Sequence, residues 1–96
     1  MQGFLFMFYV YILYAEKFDK FYVGQTNNLL QRLERHNAGK ENFTAKYIPW
    51  CLLGFVEKQT RSEAVQLELK LKNLSKERLK AFVQKHCKIS GGADEA

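Results

Sequence analysis

Two phenols, a guanidinium and an imidazole stand close together near the start of this sequence: Tyr11, Tyr22, Arg32 and His36. A phenol and an imidazole can each give or take a proton, and a guanidinium presents a permanent cation in a planar fork. The helical period places residues four apart on one face, which makes Arg32 and His36 neighbours. The plainer reading is that tyrosines favour strands and that Arg and His are ordinary on a solvated helix face. A carboxylate much later in the chain, Glu68, weighs against it. Helical spacing puts Glu68 inside the apolar arc formed by Ala64, Leu67 and Leu71. A carboxylate so placed is paired, holds a metal, or bends to the edge of the face, and a salt bridge to Arg32 is one such pairing.

The elements that must position these groups follow from pattern. Residues 8–15 are apolar on both faces, as in a central strand covered on both sides. Glu16 to Lys20 suits a hairpin turn, and residues 21–26 form a second strand that Gly24 ends. Thr26, Asn27 or Asn28 caps a helix over 28–38, whose buried stripe is read as Leu29, Leu30 and Leu33, with Gly39 as a left-handed cap. Residues 40–48 have no clear period and read as a surface loop. Trp50 to Val56 form a third strand. Thr60-Arg61-Ser62-Glu63 has capping-box spacing ahead of a helix over 62–73, and Ser75 caps a third helix over 76–86. The order β-β-α-β-α-α predicts an α/β fold: a small three-stranded sheet flanked by three helices, the first two strands forming an antiparallel hairpin. One domain is expected over 8–88, with an N-terminal extension over 1–7 and a disordered tail over 89–96.

Composition bounds the partners. A chain of 96 residues, 47% hydrophobic, holds one small core and argues against disorder. The net charge of +5 favours a polyanionic partner, most often nucleic acid. The lone pair Cys51 and Cys87 makes neither a disulfide framework nor a zinc spacing, which predicts a reducing, cytoplasmic setting. The apolar start from Phe4 to Ala15 is shorter than the roughly 20 residues of a spanning helix and lacks a secretory leader's pattern.

The ordered set Tyr9-Val10-Tyr11, Tyr22-Val23-Gly24, Arg32, His36 and Glu68 resembles the GIY-YIG nuclease motif. The chain is similar, more closely, to small stand-alone GIY-YIG proteins of bacteria. That similarity includes Gly24-Gln25-Thr26-Asn27-Asn28-Leu29, His36-Asn37-Ala38-Gly39-Lys40, Pro49-Trp50, Arg61-Ser62-Glu63-Ala64 and Lys72-Asn73-Leu74-Ser75, and it covers roughly residues 8 to 82. Tyr9 stands where the motif's first glycine is expected, and Val23 replaces an isoleucine.

The resemblance implies a metal-dependent DNA endonuclease, structure- rather than sequence-specific, serving repair or recombination. Glu68 would bind Mg²⁺ or Mn²⁺. Arg32 would hold the scissile phosphate. Tyr11 would be the base with Tyr22 its partner, either phenol needing nearby positive charge to lower its pKa, and His36 would hold a tyrosine or a proton in place. Lys40, Lys46, Lys70, Lys72, Lys76 and Arg78 would form the footprint on DNA, giving affinity without sequence information. The expected state is a monomer or weak homodimer. The competing readings are a non-catalytic nucleic-acid binding module and an interaction domain of a repair assembly.

Overall fold

The computed structural model describes residues 7–88. The expected extension falls outside these apart from Met7, and the expected tail falls outside altogether. Three strands, β1 (Phe8–Ala15), β2 (Lys20–Thr26) and β3 (Cys51–Lys58), form one antiparallel sheet in the order β2-β1-β3. Three helices accompany it: α1 (Leu29–Asn37), α2 (Arg61–Lys72) and α3 (Lys76–His86). This is the β-β-α-β-α-α fold expected from the pattern.

The central strand alternates between two cores. Val10 and Ile12 join Val23 of β2 and pack against Ala64, Leu71, Leu79 and Val83 of α2 and α3. Tyr11, Leu13 and Ala15 point to the other face, where Trp50 is buried with them and Leu29 and Leu33 of α1 close the cluster. The period of two along β1 thus feeds both layers, which is why the strand reads as apolar throughout.

Caps define the helices. Asn28 accepts from the Gln31 amide at 3.2 Å, Thr60 from Glu63 at 3.1 Å and Ser75 from Arg78 at 3.2 Å. Each satisfies an amide that the first helical turn leaves open. Gly39, with φ +76°, supplies the left-handed residue after α1. The hairpin turn between β1 and β2 passes through Asp19, itself left-handed at φ 51°. Its carboxylate takes the Tyr14 hydroxyl at 2.8 Å and the Lys76 ammonium at 2.9 Å, pinning the turn to the start of α3.

Four expectations need correction. Leu30 is not in the buried stripe; it is 74% exposed. The stripe is Leu29, Leu33 and His36, spaced four and three, and the imidazole takes the slot nearest the loop. Gly24 does not end β2, which continues to Thr26. The third strand begins after Trp50, whose buried ring belongs to the core. Residues 40–48 are not simply a surface loop: Thr44–Tyr47 form a short 3₁₀ turn, and Thr44 is completely buried.

Candidate active site

Strand register brings the first phenol to the second strand's glycine. Tyr11 lies opposite Gly24 in the β1–β2 ladder. A Cβ on Gly24 would fall 2.4 Å from the Tyr11 hydroxyl oxygen and 2.6 Å from its ring carbon Cζ. The glycine is therefore the space in which the phenol lies, and not a capping or turn residue.

The phenol points at α1. Tyr11 Oη and His36 Nε2 are 2.8 Å apart in a buried pair. On the far side of the imidazole, Nδ1 lies 2.7 Å from the Thr44 hydroxyl. The Thr44 hydroxyl donates to the Glu41 carbonyl at 3.4 Å, so its oxygen is left to accept from an Nδ1–H. With the proton on Nδ1, Nε2 is bare and the Tyr11 hydroxyl is the donor. Thr44 is held in turn: its carbonyl accepts from the Trp50 indole at 2.9 Å, while Trp50's backbone exchanges two hydrogen bonds with the Asn37 side chain.

Burial sets the charge states. It pushes the Tyr11 phenol well above its ordinary value, neighbouring Tyr22 adds to the rise, and hydrogen bonding and charge from Arg32 offset part of it. Arg32 does lower this phenol, as expected of a nearby positive charge, but desolvation outweighs the guanidinium. Burial lowers His36, with Arg32 and Arg35 adding to the fall and Glu41 opposing it. The pair is thus neutral phenol and neutral imidazole.

Arg32 faces the pair from one turn back on α1. Its Nε is 3.8 Å from a Glu41 carboxylate oxygen that Arg35 holds more tightly, at 2.7 Å. The two guanidinium groups keep the Glu41 carboxyl below the usual range, Arg35 through its hydrogen bond being the stronger. Glu41 and Thr44 are site residues that sequence reasoning missed. They sit in an aperiodic stretch, and nothing in its pattern signals that it folds back onto α1.

Tyr22 completes the aromatic cluster. Its ring centroid is 5.1 Å from His36 and 6.4 Å from Tyr11. Glu68 is placed differently. Its helix covers the opposite face of the sheet, with its core residues packed on Val10 and Ile12. The link to the cluster runs round the edge strand β2. Glu68 pairs with Lys72 at 3.1 Å, and the Lys72 ammonium stands 5.9 Å from the Tyr22 ring centre. The Glu68 side chain is only 17% exposed, as its position on the apolar arc requires, and its partner is Lys72 and not Arg32. The structure therefore joins Tyr11, Tyr22, His36 and Arg32 directly and brings Glu68 to the rim through a lysine.

The expected DNA footprint divides. Lys72 and Lys76 line a groove beside Tyr22, whereas Lys70 borders a separate hollow with Lys58 and Glu63. Lys40, Lys46 and Arg78 are exposed. Among the described residues, no group of three or more His, Cys, Asp or Glu side chains could hold a metal ion, and no helix is long and apolar enough to cross a membrane.

Comparison with known proteins agrees with the β-β-α-β-α-α scaffold. Residues 7–81 match the GIY-YIG catalytic domain, and the chain belongs to that family. Its relatives are small proteins of similar length. A UPF0213 protein of Cupriavidus necator is 33% identical over 77% of this chain and 80% of its own. A UPF0213 protein of Oceanobacillus iheyensis is 39% identical over 75% of this chain and 85% of its own. The solution NMR structure of a UPF0213 protein from Bacillus halodurans superposes with a TM-score of 0.52 at 28% identity, covering 81% of this chain and 83% of that one.

Proposed function

We propose that this protein is a metal-dependent endonuclease hydrolysing DNA phosphodiester bonds, with Tyr11, Tyr22, Arg32 and His36 as its reacting groups. The observation that carries the proposal is the 2.8 Å contact between the Tyr11 hydroxyl and His36 Nε2, with Arg32 beside it. That pair is a base with a proton sink. A water proton passes to Tyr11 Oη as the Tyr11 proton passes to His36 Nε2, so no free phenolate is needed. The raised pKa of the phenol is then compatible with the role. Arg32 exchanges its long contact with Glu41 for the planar fork of a phosphate, and that movement uncovers the phenol. Tyr22 holds the water against Tyr11.

Glu68 fits a hard cation. It is a largely buried carboxylate that already holds a positive group, and an ion of this kind takes one or two carboxylates and keeps several waters. Glu68 would hold Mg²⁺ or Mn²⁺ at the rim, where a bound ion supplies charge stabilisation at the phosphate and leaving oxygen. The basic surface offers phosphate contacts, which carry no sequence information, and this supports cleavage by DNA shape, as at branched intermediates of repair or recombination. The free cysteines fit a reducing, cytoplasmic setting.

Tyr11 is only 1% exposed, which favours a second reading: a nucleic-acid binding module that keeps the fold and cuts slowly. Labelled duplex, branched and single-stranded DNA, incubated with and without Mg²⁺, separates the two. The nuclease reading predicts nicking that needs Mg²⁺ and that Tyr11→Phe lowers about 10²–10⁴-fold. No nicking of any of the three would leave the binding module.

A further inference from the structure

Beside the candidate site, the edge strand β2 borders a groove of about 520 Å³, within the roughly 300–1,000 Å³ of small-ligand sites. Its walls are Tyr22 and Phe43 on one side and Leu71 and Leu74 on the other, with Lys20, Lys72 and Lys76 among its lining residues. No acidic side chain lines it among the described residues.

The rings continue beyond the groove. Phe43 stacks on Tyr22 at 6.1 Å and 29°, touches Tyr47 at 5.6 Å, and Tyr47 touches Phe18 at 5.4 Å. Phe43 is 51% exposed and Phe18 43%, high for rings that could have joined the adjacent core. Lysines alternate with them. The Lys20 ammonium is 4.9 Å from the Tyr47 ring centre and that of Lys17 5.8 Å from Phe18. Lys76 is engaged by Asp19 and Lys72 by Glu68, but Lys20 has no carboxylate partner among the described residues.

Exposed rings interleaved with lysines match a polymer of flat bases and anionic links. A duplex keeps its bases stacked inside and offers these rings nothing, whereas an unpaired strand can lay a base on each. We infer that this groove is a binding subsite for unpaired nucleotides of the substrate strand, one base stacking on Phe43 and an adjacent phosphate meeting Lys20. The inference rests on the nuclease reading for the identity of the polymer. It adds the class of substrate: a strand that is single, frayed or looped next to the bond that is cut.

Fluorescence anisotropy tests it, with a labelled oligothymidylate and a sugar–phosphate strand of equal length that carries no bases. The wild type binds the base-bearing strand more tightly. Phe43→Ala weakens that binding about tenfold, leaves the baseless strand unchanged, and so closes the gap. Phe43→Tyr keeps it. Lys20→Ala weakens both strands alike and lowers the salt slope by about one. Melting temperatures confirm that each variant folds. Equal binding of both strands by the wild type, no binding of either, or an equal loss on both with Phe43→Ala overturns the subsite. A gap present without Mg²⁺-dependent nicking upholds the subsite while the nuclease reading fails. Nicking without a gap does the reverse.

Discussion

In the proposed relay the proton passes from Tyr11 to His36 Nε2, with Thr44 placed to accept from a protonated Nδ1. The relay therefore depends on a neutral imidazole. Burial, Arg32 and Arg35 lower the His36 pKa against the pull of Glu41, so the imidazole stays neutral below the ordinary histidine value of ~6.5. Activity should accordingly persist through the pH range where a solvent histidine would already be charged, and fall only below it. The same shift acts on folding. The unfolded chain binds a proton that the folded chain refuses, so this contribution is complete above ~6.5 and is lost as pH falls through the folded pKa. Urea unfolding of wild type and His36→Gln across that window checks the sign. The wild type should lose stability toward acid more steeply than the variant, and parallel curves would mean that His36 titrates as in solvent. His36 and Arg32 were legible as a pair because helical spacing relates them. Thr44 was not, because a buried hydroxyl in an aperiodic loop has no signature in sequence.

Register is the element-scale device. The β1–β2 ladder sets Tyr11 opposite Gly24, and the missing side chain leaves the phenol its place. Gly24→Ala should push the ring aside, because the added carbon would meet it at 2.4 Å. The fold should survive with a loss of roughly 1–3 kcal/mol, the usual range for overpacking. Nicking should drop to the level of Tyr11→Phe, since the contact with His36 is broken. Melting curves alongside nicking rates check this, and an alanine variant with wild-type activity would show that the phenol needs no such space. A glycine near a strand end was readable as a place of close approach. That the approaching group is the protein's own tyrosine depends on strand pairing, which the sequence pattern implied only as a hairpin. The α1 stripe shows the opposite failure. Leu30 reads as core by composition, yet the helix turns it outward, and His36 fills the third position of the buried stripe. An imidazole satisfied on both nitrogens can take a core position that hydrophobicity alone would assign to leucine.

For the whole molecule, the field around the site is set by which cations are already spent. Arg35 and Arg32 share Glu41, Lys72 holds Glu68, and Lys76 holds Asp19. In the proposed reaction Glu41 is the carboxylate that would compete with a phosphate for Arg32. Glu41→Gln should raise DNA affinity several-fold at low salt, the gain shrinking as salt screens it. A titration at two ionic strengths checks this; unchanged affinity at both would place Glu41 outside the DNA path. The sheet covered on both faces was legible because β1 is apolar on both faces and the caps at Asn28, Thr60 and Ser75 follow known spacings. The route by which Glu68 reaches the site was not. Its helix packs on the far side of the sheet, and Lys72, rounding the edge strand, joins it to Tyr22.

That edge-crossing carboxylate makes binding and cleavage separable, and measuring both on one variant tests the nuclease reading most directly. On the proposed reading, Glu68→Ala would remove an oxygen donor for the cation and also a negative charge near the DNA, and it releases Lys72. DNA affinity and Mg²⁺-dependent nicking should be measured for wild type and Glu68→Ala under the same salt. The account predicts affinity equal to or above wild type with nicking reduced at least about 10²-fold. Undiminished nicking by Glu68→Ala would contradict it.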